Sequence, residues 1–247
     1  MTAERPDRIL VIIPTYNEAA SIHDVLLGLR KLDLPLFPLV INDCSTDRTS
    51  EIVRGFPGVA LLDLSSNLGI GGAVQAGLKY ARGHGYRFAV QFDGDGQHLP
   101  GEIEKILEPV IRAEADMVIG SRFISTDGTA YRSTWLRRAG IRQLAFLIRI
   151  FTGIRVVDVT SGFRAYGPAA IAFLARHYPT DFPEPESIVA LAIQGLRVRE
   201  VPAQMQERTA GMSSIYGIKT IYYMIKVAFS LGIVFLRGRG AVEHRES

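Results

Sequence analysis

An α/β fold built on a mostly parallel sheet flanked by helices is what this sequence predicts, on three observations. Apolar runs of strand length alternate with stretches of helical periodicity, the pattern of βα units. Two of those runs break abruptly into polar residues: Ile12-Ile13-Pro14 gives way to Thr15-Tyr16-Asn17-Glu18, and Gln91-Phe92 to Asp93-Gly94-Asp95-Gly96-Gln97-His98. Ligands of open α/β sheets sit outside the carboxyl ends of parallel strands, so these breaks mark the expected site. The 247 residues, 47% hydrophobic, suffice for one such domain with an appendage.

The elements follow in order. A strand over 8–13 leads to a helix over 19–31. A strand over 38–42 is followed by a helix over 47–54, which Asp47 and Thr49 open as capping residues. Next come a strand at 59–63, a helix at 70–82 and a strand at 86–92 that ends at the acidic turn. Pro100-Gly101 opens a helix over 101–113, and the strand 116–120 and the helix 135–151 complete that half. A short extended stretch near 161–166, helices over 168–175 and 185–194, and a strand over 197–204 close the domain. The Pro-rich stretch from Tyr178 to Glu186 reads as a rigid loop, too short for a domain linker.

The C-terminus changes character. Thr220 to Leu236 is mostly apolar, flanked by Lys219 and by Arg237 and Arg239. As a helix it covers ~25 Å, short of the ~30 Å of a bilayer's hydrocarbon. Lys219, Tyr223, Lys226 and Ser230 give its first half a polar stripe, the pattern of an amphipathic helix lying on a membrane or against a partner. A C-terminal core helix is the alternative. The expected division is a catalytic domain at 1–214 and a helix with tail at 215–247.

A net charge of +3 with a pI near 9.1 is too mild to argue for nucleic acid. Between Asp127 and Asp158 there is no acid, yet Arg132, Arg137, Arg138, Arg142, Arg149 and Arg155 fall there. Within that run, arginines alternate with Leu136, Ile141, Leu144, Leu147, Ile148 and Phe151, so the 135–151 helix can set an apolar face in lipid and arginines on anionic headgroups. An amphipathic core helix with a solvated face would show the same pattern. The single cysteine, Cys44, excludes an intramolecular disulfide and fits a reducing compartment. A charged N-terminus running directly into a strand shows no secretory signal, so a cytoplasmic location at the inner face of a membrane is expected.

Two carboxylates one residue apart disfavour each other's ionisation unless a positive charge joins them. Asp93 and Asp95 therefore suit a hard dication, Mg²⁺ or Mn²⁺, whose shell phosphate oxygens complete. A polar turn capping the next helix is the plain alternative, but it does not require both acids. An EF-hand loop counted from Asp93 fails: its sixth position is His98 rather than glycine, and Pro100 breaks the middle. The cluster Gly69-Ile70-Gly71-Gly72 fails as a nucleotide loop, because Val74 and Leu78 occupy the places of the Rossmann glycine and the Walker lysine. Close helix packing explains it better, and His98 reads as a structural turn residue.

Seven motifs stand in order over roughly 8–214: Pro14-Thr15-Tyr16-Asn17-Glu18, Asn42-Asp43-Cys44-Ser45-Thr46-Asp47, Asn67-Leu68-Gly69, Asp93-Gly94-Asp95-Gly96-Gln97-His98, Gly120-Ser121-Arg122, Thr160-Ser161-Gly162-Phe163-Arg164, and Arg208 with Gly211. The chain thereby resembles the family-2 glycosyltransferases of GT-A fold, in the branch of dolichol-phosphate mannosyltransferase and its bacterial polyprenyl-phosphate relatives. The resemblance implies transfer of a hexose from a nucleotide sugar, UDP- or GDP-linked, to a polyprenyl phosphate such as undecaprenyl or dolichyl phosphate. It implies Asp95 and Gln97 as direct metal ligands and Asp93 facing the ribose or the metal, all three also at the nucleotide sugar. It implies Pro14, Tyr16, Glu18, Ile41, Asp43, Asn67, Gly94, Arg122, Arg164 and Arg208 around the nucleotide sugar, and Glu186 touching acceptor or sugar. Extension of a glycan or lipid-linked saccharide, or a silent nucleotide-binding module, are the other functions this pattern admits. An integral-membrane partner could supply spans that the chain lacks. Two positions depart from the family: Asn42 replaces an acid, and Ser214 stands where dolichol-type relatives carry lysine, leaving Ser213, Ser214 or Lys219 to meet the diphosphate.

Overall fold

The computed structural model describes residues 8–124, 135–206 and 226–235. The strands are β1 (Ile9–Thr15), β2 (Leu36–Asn42), β3 (Ala60–Asp63), β4 (Phe88–Gln91), β5 (Met117–Ser121), β6 (Arg164–Tyr166) and β7 (Val198–Pro202). The helices are α1 (Ile22–Arg30), α2 (Thr49–Arg54), α3 (Gly69–Gly83), α4 (Ile103–Ile111), α5 (Trp135–Thr152), α6 (Pro168–His177) and α7 (Pro183–Ile193), with α8 over 226–235. Among the described residues they form one seven-stranded sheet in the order β3-β2-β1-β4-β6-β5-β7.

β1 is buried along its whole length, as a central strand of a sheet covered on both faces must be. Two apolar clusters lie on the two sides of the sheet, and β1 feeds both by alternation: Leu10 and Ile12 enter one, Ile9, Val11 and Ile13 the other. α3 approaches β1 closely because Gly77 faces Ile12, where any side-chain carbon would collide. A Cβ at Gly71 would likewise fall 2.8 Å from the Pro179 carbonyl. The glycine cluster is thus packing, as its failed loop patterns suggest.

β6 departs from the parallel rule. It runs antiparallel to both β4 and β5, pairing Gln91 with Arg164 and Ile119 with Arg164. Its approach, residues 160–163, therefore arrives at the edge where β4 and β5 end. That places the Thr-Ser-Gly-Phe segment beside the acidic turn.

α5 and α8 correct the expected lipid faces. Ile141, Leu144 and Ile148 of α5 are buried in the core cluster rather than turned outward. Among the described side chains of that helix, the exposed large apolar ones are Phe146 and Ile150. In α8, Val227 and Leu231 join the same cluster, and Phe235 stacks on Phe151 of α5 with centroids 5.0 Å apart. Ser230, a member of the expected polar stripe, donates to Glu186 of α7. α8 is therefore packed on the body of the domain through one side, while Phe229 and Ile233 face outward. No helix among the described residues is long and apolar enough to cross a membrane.

Candidate active site

The carboxyl ends of β1, β2 and β4 converge on one edge, and three loops build the site there. The loop after β1 is laced to the loop after β2. Asn17 N–H donates to Ser45 Oγ at 2.9 Å, and Asn17 Oδ1 accepts from Thr46 N at 2.8 Å. Glu18 N donates to Thr49 Oγ1, and Ala19 N to Asp47 Oδ2, both at 3.0 Å. Asp47 also accepts from Thr49 N at the start of α2. Although burial opposes it, the hydrogen bonds from Thr49 and Ala19 hold the Asp47 carboxyl below its ordinary range. Asn17 and Cys44 take left-handed backbone conformations, φ 57° and 63°, in which the two loops turn.

On this platform Tyr16 is 51% exposed, and Asn67 and Cys44 are exposed beside it. Asp43 is buried, its carboxylate accepting from Leu68 N at 2.7 Å, while its carbonyl accepts from Asn67 Nδ2 at 3.1 Å. Asn42, where the resemblance implied an acid, is buried at the end of β2. Its amide donates to Ser50 Oγ and Asp63 Oδ1 at 2.7 and 2.9 Å, which makes it a brace between β2, β3 and α2. Glu18 accepts from Ser21 Oγ, which also donates to the Gly94 carbonyl at 2.8 Å and so ties the first loop to the acidic turn. Pro14 is buried at the end of β1. Ile41 corrects its expected place at the nucleotide: its side chain is wholly in the core, because residues of β2 alternate and Ile41 points into the sheet's interior layer.

The turn after β4 carries Asp93, Asp95 and Gln97, all partly exposed, around a buried His98. Asp95 Oδ1 accepts from Gln97 N at 3.0 Å, fixing the turn. His98 Nδ1 accepts the Asp93 backbone N–H at 3.0 Å, which leaves the ring's proton on Nε2, 3.6 Å from Asp93 Oδ2. Phe92 and Phe163 pack on the imidazole, with centroids 5.3 and 4.8 Å away. Desolvation lowers its pKa to about 4, outweighing the pull of Asp95. His98 is neutral at pH 7 and supplies the carboxylates with no positive charge. Gly94 and Gly162 permit this closeness: a Cβ at Gly94 would lie 2.5 Å from Thr15 Cγ2, and one at Gly162 only 2.9 Å from Asp93 Oδ2.

Hard oxygen donors on a half-exposed turn, next to a histidine held neutral, fit a magnesium or manganese ion. Among the described residues no group of three or more His, Cys, Asp or Glu side chains could hold a metal. The turn offers two carboxylates and the Gln97 amide.

Arg122, at the end of β5, is 8% exposed in its side chain and locked to the fully buried Asp158. Its Nε and Nη2 each donate to an Asp158 oxygen at 2.7 Å, Nη2 donates to Thr160 Oγ1 at 3.0 Å, and its backbone N–H donates to Asp158 Oδ2 at 3.0 Å. The guanidinium that the resemblance sets at the nucleotide sugar is committed to Asp158 and Thr160. Asp158 is the residue sequence reasoning missed. Its signal was being the first acid after a run holding only arginines.

Arg164 corrects its expected role at the donor. It is fully buried, and its guanidinium donates to Ser161 O, Ser187 Oγ, Glu184 O and Val159 O. It pins the start of α7 to the sheet. Arg208 lies outside the described residues, as do Ser213, Ser214 and Lys219.

Glu186 also departs from its expected place. Its carboxylate meets Ser230 of α8, and burial raises its pKa. Glu184 lies two residues earlier, in the first turn of α7. Burial raises it, the Arg164 charge lowers it, and the charges of Asp93 and Arg122 also act on it. Positions two apart point to different sides of a helix, so the two carboxylates do not share one face.

Comparison with known proteins accords with this geometry. A model of glycosyl transferase family 2 matches residues 10–171. The chain belongs to that family. This glycosyltransferase is 31% identical over 239 residues to a polyprenol monophosphomannose synthase of Mycolicibacterium smegmatis, covering 92% of this chain and 88% of that one. An undecaprenyl-phosphate mannosyltransferase of Micrococcus luteus is 32% identical over 220 residues, covering 85% and 88% of the two chains. Among solved structures, glucosyl-3-phosphoglycerate synthase from Mycobacterium tuberculosis, in complex with Mn²⁺, UDP and glucosyl-3-phosphoglycerate, superposes with a TM-score of 0.69 at 17% identity, over 95% of this chain and 81% of that one. At that identity the likeness shows the fold.

Proposed function

We propose that this glycosyltransferase moves a hexose from a nucleotide sugar to a polyprenyl phosphate, with Mg²⁺ or Mn²⁺ held by Asp93, Asp95 and Gln97. The observation that carries the reading is the acidic turn itself, half-exposed at the carboxyl end of β4 around a histidine that burial keeps neutral. The relatives named for polyprenol and undecaprenyl-phosphate mannosyl transfer support the acceptor class. A neighbour crystallised with Mn²⁺ and UDP supports the metal and the donor class.

An ion held by Asp93, Asp95 and Gln97 would stabilise the negative charge that develops on the leaving nucleoside diphosphate. The chain's own residues do the rest. The loops after β1 and β2 receive the nucleoside, with Tyr16 open for stacking on the base and Asp43 and Asn67 fixed beneath it. Arg122, immobilised by Asp158, stands at the end of β5 as a preorganised ion pair that needs no reorganisation during reaction. The acceptor's phosphate oxygen attacks the anomeric carbon as the bond to the diphosphate breaks. A phosphate monoester is already anionic near neutral pH, so the reaction does not depend on a protein base.

A lipid acceptor requires access from a membrane. Phe146 and Ile150 of α5 and Phe229 and Ile233 of α8 are exposed on helices joined by the Phe151–Phe235 stack, with Arg142, Arg149 and Lys226 exposed beside them. Apolar side chains flanked by cations suit the interface of an anionic bilayer. The proposed location is peripheral, on the cytoplasmic leaflet.

The deciding experiment offers UDP- and GDP-hexoses with Mg²⁺ or Mn²⁺ and a short-chain prenyl phosphate. Transfer to the prenyl phosphate is expected from the wild type. Asp95→Ala should lose on the order of 10²–10³-fold in rate with its circular dichroism unchanged. Undiminished turnover in that variant overturns the metal site, and transfer only to saccharides overturns the acceptor.

A further inference from the structure

Arg122 is held by Asp158, but Asp158 lies in a loop, 156–160, that must itself be fixed for the ion pair to have one geometry. The structure assigns that task to Glu200. Glu200 sits on the edge strand β7, opposite Ile119 of β5, three residues before Arg122. Its two carboxylate oxygens accept from two consecutive backbone N–H groups: Oε2 from Val157 and Oε1 from Asp158, each at 2.7 Å. The Asp158 carboxylate then receives the Arg122 backbone N–H, Nε and Nη2, at 3.0, 2.7 and 2.7 Å. The ladder from β7 through the loop to the arginine thus consists of short, charge-assisted hydrogen bonds at both ends.

We propose that Glu200 is a positioning residue for Arg122, setting where its guanidinium charge stands in the cleft. The inference rests on the proposed role of Arg122 at the sugar diphosphate. The chemistry explains why a carboxylate is needed. Two adjacent N–H groups converge on one side chain, and only a group with two acceptor oxygens meets both. Glutamine offers one acceptor and a clashing donor. Glu200 is partly exposed on the edge strand β7.

The test is a double-mutant cycle on the full chain: wild type, Glu200→Gln, Arg122→Lys and the double variant. Transfer is measured with the donor and prenyl phosphate that the wild type uses. Glu200→Gln is expected to lower kcat by ~10–100-fold, the range for partners that orient a site residue, with acceptor KM unchanged. In the Arg122→Lys background the same substitution should change kcat by less than about threefold. Equal losses in both backgrounds overturn the proposal. A second readout does not need turnover. The Arg122 Nε–H resonance, slow to exchange in the wild type, should lose protection in Glu200→Gln, and unchanged protection counts against the role. A wild type that transfers nothing defeats the functional reading, while the resonance still decides this one. If the glutamine variant does not fold, Glu200→Asp, with both oxygens one methylene shorter, replaces it: the same loss of kcat and of protection supports the role, and wild-type values of both overturn it.

Discussion

Substituting Gly162 by alanine disturbs the acidic turn without touching a carboxylate. The added Cβ would lie 2.9 and 3.3 Å from the two oxygens of Asp93 and 3.1 Å from Gln91 Nε2, where ordinary contact begins at 3.4 Å. Relief needs a shift of about 0.5 Å, and Asp93 Oδ2 is the nearest atom. Gln91 is wholly buried and holds the Tyr166 hydroxyl at 3.0 Å, so it cannot withdraw. The carboxylate, at the end of a short side chain on a half-exposed turn, yields first. Metal donors tolerate displacements of only ~0.2 Å, and disturbance next to a ligand typically costs 10–100-fold in metal affinity. The expected result is therefore a loss of about 1.4–2.7 kcal/mol in Mn²⁺ binding. Titration of Mn²⁺ in the presence of saturating UDP, followed by electron paramagnetic resonance, measures it. The thermal midpoint should move by no more than a few degrees, since one flexible side chain absorbs the contact. Mn²⁺ affinity within threefold of wild type in a folded Gly162→Ala protein refutes the argument.

Two further outcomes follow from the site and the surface. Burial holds the His98 imidazole at about 4, against ~6.5 when unfolded, so between these values the unfolded chain binds more protons. Stability is complete above pH 6.5 and falls as pH drops, by about 2 kcal/mol at pH 5 and about 3 at pH 4. Urea midpoints should show this slope in the wild type and a flatter one in His98→Gln; equal slopes contradict it. Replacing Phe146 or Phe229 by aspartate should weaken binding to anionic phospholipid vesicles by roughly 30-fold each, the ~2 kcal/mol of one phenyl group, with the fold intact. Sedimentation with vesicles reads this directly, and an undiminished bound fraction refutes the proposed lipid face.

The strands and helices were legible because their apolar periods are local properties, and the acidic turn was legible because its polar break follows a buried strand. Boundaries moved by a few residues, as for β1, which continues through Pro14 and Thr15 because it pairs with β2 to Asn42. What sequence could not show was which way a side chain faces after packing. Arg164 and Arg122 look alike as exposed basic residues, yet one is a buried strut and the other is bound to an acid 36 positions away. Glu184 and Glu186 share one motif, and only the packed structure shows that Glu186 meets Ser230 of α8. The apolar stripes of α5 and the C-terminal helix were visible, but which members face the core depends on neighbours that no local pattern encodes.

The buried guanidinium of Arg164 has a consequence for where the polypeptide can be cut. The stretch matched by the family ends at residue 171, yet two of this arginine's acceptors, the Ser187 hydroxyl and the Glu184 carbonyl, lie beyond it. A fragment stopped at that border would keep a cation sealed inside the protein with half its oxygens missing. The foldable unit must therefore extend past the sequence that defines the family, at least through α7.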